Sequence, residues 1–239
     1  MSAESVIAGL DEVVDDFAKR TRFFKEELTP ARARMFVTQH RQNSRHRNSV
    51  LKLRVATNCP HWDIKLDIIH ACSQEIISDD EYFGGKAHWQ VLEDLGVCIG
   101  MDREEIHEAP LLPTTRMAWH AWSGLMSNSH WLEGLIANTC AERPNIPGYG
   151  EDLVKEKGWF GMERERWKAV FPDLADDELT FFEAHGEADL EHSDLGWKTV
   201  AKFAEELKME DAVIEACRNN LVVWEHYLNG IGDAADRMN

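Results

Sequence analysis

Apolar residues recur at helical spacing along almost the whole chain, and no stretch of strand-like alternation bounded by Asn-Gly or Asp-Gly turns interrupts them. The seven prolines fall mostly between the apolar-periodic segments, where they punctuate helices rather than break them. The pattern predicts an all-α fold. Helices are expected from Ala3 to about Glu27, from Pro30 towards Asn48, from Asp63 to Ile77, and through Glu81 to Leu95, the last loosened at Gly84-Gly85. Further helices are expected from about Arg116 to Glu142, over Glu178 to His192, over Leu195 to Lys208 and over Glu210 to Leu228. No internal repeat or linker composition divides the chain, so one domain over 1–239 is expected.

Charge narrows the range of partners. Forty-three acids against 26 bases give a formal net charge of −17, which disfavours nucleic acid and anionic membrane surfaces as partners. The run from Arg41 to Arg54 is a local exception, basic and without an acid, and reads as a helix face or an anion-steering patch. No run approaches the roughly 20 apolar residues of a membrane span, and the acidic N-terminus does not read as a signal peptide. A cytoplasmic location is expected. Five scattered cysteines without a CxxC pair read as buried free thiols.

Chemistry concentrates in FFEAHGEADLEHSDLGW, where His185, Asp189 and His192 stand at i, i+4 and i+7. At about 100° per residue these fall within roughly 60° on one helix face. Two imidazoles and a carboxylate on one stripe suit an open iron site, although the same helix could present only a solvated acidic face. Partners are expected on other helices. Glu81 and His88, seven apart, would share a face. Glu142 would stand in a last helical turn, where a carboxylate opposes the helix dipole unless a cation offsets it. Each alone has an ordinary explanation: a helix-start acid, a core histidine beside Trp89, an exposed terminal acid. Together they form three carboxylates and three imidazoles over three helices, a set that brings two Fe(II) ions near neutrality. Ferritin-like bundles use paired Glu-x-x-His motifs, and this chain has one, Glu104 to His107, which disfavours that fold.

In these residues, and in the stretch EYFGGKAHWQVLEDLG, the chain resembles the haem-oxygenase-like di-iron oxidases and oxygenases, in the superfamily of thiaminase II and the pyrroloquinoline-quinone synthase protein. The resemblance runs from about Ile64 to Trp197. It implies a helical bundle of about seven or more helices without haem, and a di-iron site on Glu81, His88, Glu142, His185, Asp189 and His192. Glu75 is a substitute or additional ligand, because spacing before the histidine varies among members. The implied cofactors are two iron ions, Fe(II) or Fe(III), with O2 as co-substrate and an external electron donor where one is needed; manganese suits the same ligands. A homodimer is compatible with the superfamily.

The expected function is an O2-activating non-haem di-iron oxygenase or oxidase acting on a small amine or amino-acid-derived metabolite in specialised-metabolite biosynthesis. N-oxygenation or oxidative C–C or C–N cleavage would be the reaction. The alternatives are a metal-free thiaminase-like or quinone-synthase-like enzyme using an acid and a cysteine, or a non-catalytic helical interaction protein. One branch of the family consumes a tyrosine of its own near the N-terminus to make an aminobenzoate. This chain has only Tyr82, Tyr149 and Tyr227, with Phe23 and Phe24 in its expected first helix, a departure from that branch. Trp119, Trp122 and Trp131 read as core or as a pocket wall. Arg54, with His40, Asn43 and His46, is a candidate receiver for a substrate carboxylate.

Overall fold

The computed structural model describes residues 2–80 and 82–238, and within that range the side chains of residues 184–195 lie outside the description. The described residues form eleven α-helices and no named strand: α1 Ala3–Arg20, α2 Pro30–Arg45, α3 Lys52–Asn58, α4 Trp62–Ile76, α5 His88–Cys98, α6 Arg103–Glu108, α7 Pro113–Ser127, α8 Trp131–Thr139, α9 Asp152–Val170, α10 Thr180–Leu207 and α11 Glu210–Asp236. The all-α expectation holds. No helix among the described residues is long and apolar enough to cross a membrane.

Local chemistry sets most boundaries. Ser2 caps α1 by accepting the Ser5 N–H, and Thr29 caps α2 by accepting the Arg32 N–H with Pro30 in the first turn. Helix α1 stops seven residues short of its expected end, because Thr21 turns extended and its hydroxyl donates to the Phe17 carbonyl at 2.7 Å. The long helix expected over Arg116 to Glu142 is two, α7 and α8, parted at Asn128 to His130. There the Glu133 carboxylate accepts the His130 N–H and starts a new helix. Helix α10 instead fuses two expected segments. Helix α9, which the sequence did not single out, bends at Gly158. That residue sits at φ +71°, and a Cβ there would come within 2.1 Å of the Asn145 carbonyl oxygen.

Two departures shape the interior. The helix expected through Glu81 to Leu95 begins only at His88. Gly84 and Gly85 take positive φ, and an isolated bridge joins Asp79 to Lys86, so the described residues between α4 and His88 turn rather than continue a helix. Glu81 itself lies outside the described residues. Between α2 and α3, His46–Leu51 is π-helical, and the Lys52 N–H bonds back to the Arg47 carbonyl, five residues earlier. At about 100° per residue, two positions five apart in an α-helix point roughly 140° away from each other. The π-turn narrows that offset, and Arg47 and Lys52 are both buried. Helix α10 packs against α1, α5, α8 and α9 and so runs along the interior of the bundle.

Candidate active site

The basic run does not form a solvated face. Arg41, Arg47 and Lys52 are each at most 4% exposed, and each has a different internal role. Arg41 pairs with Glu93 at 2.7 Å, and Glu93 also meets the Nε2 of His107 at 2.7 Å. The lone Glu-x-x-His histidine is thus engaged in an ion-pair network. Lys52 reaches from the start of α3 into a carboxylate cluster, with its Nζ 3.4 Å from Glu75 Oε1 and 3.3 Å from Glu142 Oε1. Burial would favour its neutral form, but the two carboxylates outweigh burial and raise its pKa.

Glu75 faces two ways. Its second oxygen lies 3.3 Å from His88 Nδ1, and His88 Nε2 lies 3.0 Å from Asp79 Oδ2. Burial opposes a charge on His88, yet Glu75 and Asp79 together push its pKa up to about 9. Two carboxylates of the described residues therefore meet His88: Glu75 on α4, and Asp79 just beyond it. Glu142 sits just beyond α8 rather than inside a long helix. Its position at the negative end of α8 still calls for a cation, and Lys52 provides one. Among the sequence candidates, the structure brings His88 and Glu142 to one place and adds Glu75, Asp79 and Lys52. The one signal for Lys52 in the sequence was an acid-free basic run inside a strongly acidic chain.

The other half of the candidate set is on α10. Gly196 packs so closely on α8 that a Cβ would lie 3.0 Å from Thr139, three residues before Glu142. His192 precedes Gly196 by about one helical turn, which brings its backbone alongside the Glu142 end of α8. The side chains of His185, Asp189 and His192 lie outside the described residues. The donor types at hand, buried Glu75 and His88 with half-buried Glu142, suit iron or manganese. Among the described residues no three such groups are disposed to hold a metal ion by themselves.

A cavity open to solvent lies against this cluster, with Lys52, Glu75, His88 and Glu142 in its wall. Phe24, Trp159, Phe160 and Trp224 supply an aromatic side, and His40, Arg47, Asn48 and Gln74 a polar one. Burial pushes the His40 pKa down to about 4, so its ring is neutral, stacked on Phe36 at 4.7 Å. Trp119, Trp122 and Trp131 do not line the cavity. Arg54, the expected carboxylate receiver, is exposed and outside it. Four cysteines are buried and Cys98 is exposed, contrary to the expectation for that residue. Burial raises Cys72, the cysteine nearest Glu75 in sequence, to about 11.

No family model matches the chain. In three dimensions it is similar to a crystal structure of a domain of unknown function from Shewanella denitrificans with a haem-oxygenase-like fold. The TM-score is 0.67 over 98% of this chain and 92% of that one, at 16% sequence identity. The chain has the haem-oxygenase-like all-α fold, as the sequence resemblance implied. In sequence it is similar to a Nitrosomonas europaea protein named 4-aminobenzoate synthase, 25% identical over 179 residues that span 73% of this chain and 68% of the relative.

Proposed function

We propose that the chain is an O2-activating di-iron oxygenase or oxidase acting on a small amine or amino-acid-derived metabolite. The observation that carries this reading is the meeting of buried Glu75 and His88 with half-buried Glu142, drawn from three segments to one cavity wall. Two carboxylates so close would be costly to bury without a cation, and Lys52 holds them in place until metal arrives. With iron bound, the centre would supply electrons to O2. The ligands would be His88 and Glu142, Glu75 or Glu81, and His185, Asp189 and His192 from α10. The aromatic side of the cavity excludes water from the substrate, and neutral His40 offers a hydrogen-bonding group without added charge. N-oxygenation and oxidative C–C or C–N cleavage are the candidate reactions. A relative named for making 4-aminobenzoate supports a small substrate. The residues at the end of α1 where a sacrificial tyrosine would be sought are Phe23 and Phe24, so we do not carry that reaction over.

Anaerobic Fe(II) titration tests the proposal. Two ions should bind per chain, O2 uptake should follow exposure to air, and Glu142→Ala, His185→Ala or Asp189→Ala should each lower the stoichiometry. Wild-type iron content in all three variants would sink the ligand assignment. A metal-free enzyme working through a cysteine has less support, because at a pKa of about 11 Cys72 holds its proton at neutral pH.

A further inference from the structure

Arg47 is a part of the cavity that the metal reading leaves without a task. Its side chain is 2% exposed and lines the cavity. Nη2 donates to the Ala137 carbonyl at 2.7 Å and Nη1 donates to Asn48 Oδ1 at 2.8 Å. The guanidinium lies over Trp122 at 5.2 Å and Trp224 at 4.8 Å from the ring centroids. Among the described residues no carboxylate stands at ion-pair distance, and Nε has no hydrogen-bond partner. Burying an ion is costly unless an opposite charge meets it. The two other buried arginines obey that rule: Arg41 pairs with Glu93 at 2.7 Å, and Arg32 pairs with Glu26 at 2.7 Å and Asp236 at 2.6 Å. Arg47 is the exception, and it faces the space where a substrate would sit.

We propose that Arg47 anchors the carboxylate of the substrate, so that the chain acts on small carboxylic acids rather than on neutral amines or alcohols. This rests on the cavity being the active site, and it names the substrate class of that site. The planar fork of a guanidinium carries five N–H groups, of which two are engaged, leaving Nε–H and its neighbours for a carboxylate. Gln74 Oε1, also without a hydrogen-bond partner among the described residues, borders the same cavity and would accept an N–H from an amino group on the same molecule. The aromatic side takes the apolar remainder. In the metal-free chain Lys52 does not compete for the carboxylate, because Glu75 and Glu142 already occupy it, so the chelated protein isolates the contribution of Arg47.

The test uses the full chain, iron-loaded and after chelation, with matched probes: benzoate against benzamide, and L-phenylalanine against L-phenylalaninamide. Calorimetry should show an acid binding and its amide failing in wild type in both metal states, whatever any variant does. Arg47→Gln should weaken the acid by about tenfold or more, and Arg47→Lys should recover part of the loss. Far-UV circular dichroism checks that the variants fold. Three results overturn the proposal: neither acid binds better than its amide, Arg47→Gln binds as wild type does, or inorganic phosphate binds as tightly as the acids. An acid that binds only with iron present and ignores Arg47→Gln is going to the metal, and also overturns it. Arg47-dependent binding in a protein that takes up no iron would leave this inference standing while the di-iron reading fails.

Discussion

Two buried cations five residues apart meet opposite fates in this fold. Lys52 lies between two carboxylates, whereas Arg47 has two neutral oxygen acceptors and two indole faces. Lys52 completes a charge balance inside the protein, and the carboxylates depend on it as much as it depends on them. Arg47 has unspent donors directed to a cavity, the usual condition of a group that waits for a ligand. The same run of sequence thus supplies a structural counter-ion and a candidate recognition group. Net charge could not have separated them.

The largest expected effect comes from breaking the saturated end. Lys52→Met should leave half-buried Glu142 without its cation and Glu75 with only His88, and cost about 3 kcal/mol in urea denaturation. Added Mn(II) should recover part of that stability if the carboxylates belong to a metal site. Next comes the neutral histidine on the polar side of the cavity. His40 is held near a pKa of about 4 by burial, with Arg47 adding to the depression, while an unfolded chain protonates it near 6.5. Its contribution to stability is therefore complete above about pH 6.5 and is lost as pH falls towards about 4. The loss is on the order of 3 kcal/mol over that window. Chemical denaturation at stepped pH should show a shallower decline for His40→Phe, and an unchanged slope would remove His40 from this account.

Arg47→Met should cost less than Lys52→Met, about 1–2 kcal/mol, because it strands the Ala137 carbonyl and Asn48 but leaves no buried carboxylate unpaired. If the two variants cost the same, the distinction between a saturated and a waiting cation fails. The smallest effect is expected at Arg54→Ala. Exposed and outside the cavity, it should shift stability by no more than about 0.5 kcal/mol and leave acid binding unchanged.

Much of the fold was legible because it rests on local rules. Apolar periodicity located most helices, and Thr29-Pro30 marked the start of α2 as its chemistry requires. Errors fell where tertiary packing chose between local options. Paired glycines could loosen a helix or turn the chain, and the structure turns it, so the helix expected from Glu81 begins only at His88. Residue type and order point to His88 and Glu142, which the structure brings to one cavity wall. Glu75 is reached only through variable spacing, and Asp79, Arg47 and Lys52 carry no individual signal, because polar and basic residues at such positions usually face water.

The residue types in the cluster, their order along the chain and the helical character of the segments that carry them follow from sequence alone. Which carboxylate meets His88, and which basic residues turn inward, were decided by the tertiary structure. The reason is geometric. A single π-turn bonding Lys52 back to Arg47 narrows an offset of roughly 140° that ordinary helical spacing would impose, and both cations lie in the interior.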